Sequence, residues 1–185
     1  MFMKNKKAMM ITMAALMAVA LPSPLLAQTK VRFDGVAIRG GMMSVVNRLR
    51  LRGWKVDEVA DHAVTLTGKW EKMAGVTATV IEAEDGGGVT DVGVLVPCEL
   101  DWADVHAKWQ DVVGRISDSW GEPEVYDETF DTPGFMTSGE ALVALQEGHC
   151  RYRARWSAEG GTVEAVPAFI PYTYCILVRY SVEKP

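Results

Sequence analysis

The sequence predicts an α+β domain: an antiparallel sheet of about six strands with two main helices on one face, from an α-β-β-β unit used twice. Three observations carry this. Segments 42–52 and 102–120 place apolar residues at helical spacing. Each is followed by three β-type runs separated by turns bearing glycine or proline. The two halves also align. VVNRLRLRGWKVDEV (45–59) takes the position of VVGRISDSWGEPEVY (112–126), and VTLTGKW (64–70) that of CRYRARW (150–156), each of the latter two closing on Trp.

Residues 1–27 read as a secretory signal peptide. Lys4, Lys6 and Lys7 form a positive start, and Ala8–Leu21 is an apolar run too short to cross a bilayer with margin. Pro22-Ser23-Pro24 breaks the run before a small residue, Ala27. Lipid attachment needs a cysteine after the cleavage point, and Gln28 stands there. Residues 28–185 are therefore expected to be one domain, with pseudo-repeats 31–98 and 99–185, in the periplasm or secreted.

The whole chain has 185 residues, 49% hydrophobic, with a net charge of −5. Without residues 1–27 it loses three lysines and no acid, which leaves 16 basic against 24 acidic side chains, a net −8. Such a domain lacks the basic excess that nucleic acid demands. The apolar content excludes a disordered chain, and three cysteines are too few for a disulfide scaffold. After the signal segment no stretch is long and apolar enough to span a membrane.

Along the domain, residues 31–39 (VRFDGVAIR) read as an opening strand or extended arm. Met42, Val45, Val46 and Leu49 form one face of a helix that Gly53 ends. Val64, Leu66 and Trp70 alternate with polar residues, Val76–Ala83 is β-branched, and Val89–Val96 returns after Asp85-Gly86-Gly87-Gly88. Asp101 caps the second helix, whose stripe is Trp102, Val105, Trp109, Val112, Val113, Ile116 and Trp120. Gly121 and Pro123 stop it. Residues 127–139 read as a loop and 139–147 as a short extra helix. Cys150–Trp156, Thr162–Phe169 and Tyr174–Val182 are the last three strands. The six tryptophans are expected between helices and sheet.

A helix followed by an antiparallel meander, used twice in an exported chain, resembles the beta-lactamase-inhibitor-protein-like architecture. Gly121-Glu122-Pro123 is similar to the helix-ending turn of the SmpA/OmlA outer-membrane lipoprotein family, which shares that layout, although the lipid-attachment cysteine is absent here. FDGVAIRGGMMSVVNRLRLRGW (33–54) looks like small exported bacterial proteins of unknown function with an F-x-G-x-x-I-x-G start and a following helix. That likeness spans nearly the whole mature chain. Its motifs are structural, so the resemblance implies a fold and no catalytic residues.

The chain has no GxSxG, HExxH, CxxC or GxxxxGK[ST]. Gly86-Gly87-Gly88 precedes a strand, whereas a phosphate loop precedes a helix. His62, His106 and His149 lie far apart, and His149-Cys150 has no spaced partner pair, so neither metal nor cofactor is predicted. His106 reads as a solvated helix residue. Glu82, Glu84 and Asp85 read as a solvated turn.

Strand alternation points Cys98 and Cys150 toward the core and Cys175 toward the opposite face. If a bridge exists, Cys98–Cys150 is the pair; three buried thiols are the alternative. Arg151, Arg153 and Arg155 alternate with Tyr152, Ala154 and Trp156, which puts three guanidinium groups on one sheet face. Arg179 from the last strand and Lys69 from the first half are expected to join them. That face is either solvated, with its cations paired to nearby carboxylates, or a surface for a protein or anionic partner. The sequence thus points to an exported, non-enzymatic binding or interaction domain using the helix-free sheet face. An enzyme with dispersed site residues, or a cell-envelope assembly factor, are the alternatives.

Overall fold

The computed structural model describes residues 30–131, 134, 136–170 and 172–183. The expected signal peptide lies outside the described residues. The stretch read as an opening strand or arm is a hairpin: β1 (Arg32–Phe33) and β2 (Val36–Ala37) pair antiparallel. Its two turn residues, Asp34 and Gly35, both have positive φ, 46° and 72°, the arrangement that suits strand twist. The hairpin delivers Phe33, fully buried, onto Trp54 and Tyr180 at ring distances of 5.1 and 5.4 Å.

Helix α1 (Met42–Arg50) buries the expected stripe of Met42, Val45, Val46 and Leu49. It leads to β3 (Lys55–Val59), β4 (Ala63–Trp70), β5 (Met73–Glu82) and β6 (Val89–Pro97). Helix α2 (Trp102–Trp120) opens the second half, followed by β7 (Val125–Phe130), α3 (Ser138–Glu147), β8 (Cys150–Ala158), β9 (Gly161–Ile170) and β10 (Thr173–Val182). α3 starts on a reciprocal cap between Thr137 and Glu140. It is tied to α2 through Ser138, whose hydroxyl accepts from the Trp102 amide at 2.8 Å and donates to Asp101 at 2.6 Å.

The α+β class and the antiparallel sheet agree with the expectation; the element count is corrected. The sheet has eight strands, ordered β3-β4-β5-β6-β10-β9-β8-β7, beside the two-stranded hairpin, and the described residues hold three helices. The two strands not foreseen, β3 and β7, are the edges. Their sequences, KVDEV and VYDETF, mix charge with apolar residues because one side of each strand meets water. α1 and α2 are thus each followed by four strands, laid down from the edge inward, with α3 inserted after the first strand of the second set.

The last strand of each half, β6 and β10, meets its counterpart at the centre, with Val94 opposite Val178 and Val96 opposite Ile176. These hold the largest share of buried residues of the eight strands, and a central strand is shielded along both edges. α1 and α2 pack on the face carrying Val64, Leu66, Val92, Val94, Ile176 and Val178, all fully buried. Trp70, Trp109 and Trp156 are buried in the same core, and Trp102 and Trp120 pack against it partly exposed.

Candidate functional site

The helix-free face has a register readable across the sheet. Arg179 of β10 lies opposite Glu164 of β9, which lies opposite Arg155 of β8. Arg153 points the same way and is ion-paired with Glu164. Arg151 reaches Asp131 at 3.8 Å. Arg179 Nε donates to Asp91 at 2.7 Å, and the Ser181 hydroxyl donates to the same oxygen at 2.8 Å. Arg151, Arg153, Arg155 and Arg179 thus share one face, and three of the four meet a carboxylate. Arg155 is the exception: its Nε is buried with no hydrogen-bond partner among the described residues.

Lys69 is not brought to this group. It stands at the end of β4, at the rim of a hollow it shares with Asp34, Arg52 and Glu71, and β5, β6, β10 and β9 separate it from β8. The alternation that places a residue on a face says nothing about how far apart two strands lie.

Asp91 is the buried charge of this face. Burial pushes its carboxyl up, but hydrogen bonds from Arg179, Ser181 and Thr90 outweigh that and hold it below its ordinary value. A depressed folded value contributes stability that is present above the unfolded value of about 3.9 and is lost as pH falls through the folded one. Asp91→Asn is expected to cost about 1.5–3 kcal/mol at pH 7. It should also flatten the fall of melting temperature below about pH 4, as read by thermal melts between pH 7 and pH 2. An unchanged acid limb in the variant would assign that fall to other carboxylates.

Beside the arginines the same face is apolar. Leu95, Leu177 and Val166 form a cross-strand row. Next to it is a hollow of about 240 Å³ lined by Gly75, Thr77, Leu95, Pro97, Ile170 and Cys175. Burial pushes the Cys175 thiol up to about 11, so it is an inert lining group and no nucleophile at neutral pH.

Of the two readings of the cysteines the unbridged one holds: all three thiols are free, Cys175 buried and Cys98 and Cys150 half-buried. Cys98 follows β6 and Cys150 opens β8, with β10 and β9 in between. Three strand spacings of about 4.8 Å put them about 14 Å apart, twice the reach of a disulfide. Burial pushes Cys98 up to about 12 and raises Cys150 as well.

Sequence reasoning missed one cluster on the helix side. His106 of α2, read as solvated, is bonded through Nε2 to Glu128 of β7. The Tyr126 hydroxyl donates to the other oxygen of Glu128 at 2.6 Å. Trp102 stacks near His106, and Tyr152 meets both edge-on. Burial raises the Glu128 carboxyl, and the bonds from Tyr126 and His106 more than reverse this, leaving it below its ordinary value. Such a carboxylate fixes the tautomer and orientation of an imidazole, as in an acid–base pair. Twenty-two residues separate the partners, so no local motif could have shown them. Among the described residues no group of three His, Cys, Asp or Glu side chains comes together to hold a metal. No described helix is long and apolar enough to cross a membrane.

No family model, no curated protein and no solved structure matches this chain.

Proposed function

We propose that this is an exported, non-enzymatic binding domain of the periplasm or the exterior, which presents the helix-free face of its sheet to a protein partner. The proposal includes the signal peptide and the architectural likeness drawn from the sequence. The observation that carries it is the pairing, on one sheet face, of an apolar hollow with an arginine row in which the Nε of Arg155 has no hydrogen-bond partner among the described residues. Interfaces favour this composition: apolar pockets that accept an anchoring side chain, with arginine beside them. The carboxylates at Asp91 and Glu164 hold the Arg179 and Arg153 guanidinium groups in place, and a fixed fork loses less entropy on meeting a partner's carboxylate.

The test is a pull-down from the exported fraction with the tagged chain. Replacing Arg151, Arg153 and Arg155 together by Ser, and separately Leu177 by Asp, is expected to weaken retention of the partner by about tenfold or more. Retention unchanged in both variants removes this surface from the reading.

A further inference from the structure

A second surface lies at the opposite edge of the molecule. Between α1 and the edge strand β3 runs a groove of about 1010 Å³, lined by Met43, Asn47, Arg50, Leu51, Trp54 and Val56, with Lys55 alongside. Leu51 is 89% exposed, an unusual state for a leucine beside other apolar groups.

The other half shows what is missing. With Trp70 set on Trp156, Val56, opposite Leu66, falls where Glu128 stands opposite Tyr152. Val59, opposite Val64, falls where Phe130 stands opposite Cys150. In the second half His106 bonds Glu128, and Trp102 packs on Phe130 at 5.2 Å. Both come from the first turns of α2, which is 19 residues long. α1 has only 9 residues and begins at Met42, the position that matches Trp109. It has no counterpart of Trp102 or His106, so Val56 and Val59 stay 38% and 62% exposed on the helix side of β3. The groove lies beside residues that the longer helix covers in the other half.

Charge selects the occupant. The chain is acidic overall, yet the residues lining this groove include Arg50 and no carboxylate. The acids of β3 face the other way: Asp57 accepts from Thr67, and Glu58 lies opposite Thr65, both on the helix-free side. The neighbouring cations are already engaged, Arg52 with Asp34 and Arg48 with the carbonyls of Ser44 and Arg39. No described group pairs with Arg50, whereas Lys55 lies opposite Thr67 and so stands on the helix-free side with those acids.

We infer that the α1–β3 groove is a docking site for a short acidic amphipathic helix of another protein, its apolar face on Met43, Leu51, Val56 and Val59 and a carboxylate on Arg50. The occupant supplies the turns that α2 has and α1 lacks. Helix-in-groove binding of this kind needs apolar anchors at i, i+3, i+4 and i+7, and the Arg50 guanidinium fixes register and disfavours basic competitors.

The experiment pans a random dodecapeptide library on the full chain and compares recovered peptides on the double variant Arg50→Glu/Leu51→Glu. Both residues are at the surface, so circular dichroism should show the variant folded. The expected result is a peptide set rich in Asp, Glu, Leu and aromatics that loses at least about tenfold in affinity on the variant. Peptides that bind both forms equally, a basic set, or no enrichment above background each overturn the inference. A chain that sediments as a dimer, and as a monomer once the double substitution is made, replaces it with self-association through this groove. The arginines and Leu177 of the helix-free face are untouched by these substitutions, so this result and the pull-down stand or fall separately.

Discussion

Gly161→Ala is expected to abolish a stable fold or come close to it. Gly161 pairs with Ala158 of β8 and with Val182 of β10, where β9 begins. A methyl group there would stand 1.9 Å from the backbone oxygen of Ser181 and 3.0 Å from Val31 Cγ2. The obstacle is main chain held in the central strand, not the end of a pliable side chain. The strands must therefore separate, and the Glu183 amide, which donates to the Gly160 carbonyl at 2.8 Å, is drawn away with them. The hairpin β1–β2 is disturbed as well, since Val31 is buried against this end of the sheet. A cost on the order of 3–5 kcal/mol follows from combined clash and lost pairing. That is a large share of the roughly 5–15 kcal/mol that holds a domain folded. Urea unfolding measures it; a midpoint within error of the parent would show that β9 and β10 are less closely apposed than described.

Gly68→Ala is expected to be the second most damaging change, through a different contact. Gly68 lies on β4, where the chain has a register shift toward Lys69. Its missing Cβ is the space occupied by the Trp54 indole: an added methyl would lie 2.5 and 2.6 Å from two ring atoms. Trp54 cannot swing aside. It is 3% exposed, its ring packs on Phe33, and its Nε1 donates to Asp34 at 3.0 Å. Overpacking of this kind costs about 1–3 kcal/mol, and the loss of the Asp34 bond adds about 1 kcal/mol. The pair Gly68→Ala with Trp54→Leu should recover part of the loss, because the smaller side chain leaves room for the methyl. Melting temperatures of the single and double variants decide it. If the double variant is no better than the sum of its parts, the two residues are not in contact.

How much was legible follows from how local each signal is. The stripe of Met42, Val45, Val46 and Leu49, and the longer one through Trp109 and Ile116, are properties of consecutive residues, and the structure buries both. The same holds for the three arginines of β8 on one face. β3 and β7 escaped notice because an edge strand keeps only half the burial that produces alternation. Asp34-Gly35 did carry a hairpin signal, as did Thr137 and Glu140 for the start of α3. Neither was used. The His106–Glu128 bond and the Arg179–Asp91 bond join residues 22 and 88 positions apart. Nothing in either neighbourhood marks them.

The sequence by itself determined the class, the helices and the face on which each strand residue stands, because periods of 3.6 and 2 are written into neighbouring positions. Only the tertiary structure decided which strands are neighbours. It put β6 against β10 and not β8, which kept Cys98 from Cys150, left Lys69 away from the arginines and placed the carboxylates of Asp91 and Glu164 among them. Lateral order is settled by which strands the two helices and their neighbours can cover together, and the charged β3 and β7 are left at the edges. That is a comparison across the whole chain and not within any stretch of it.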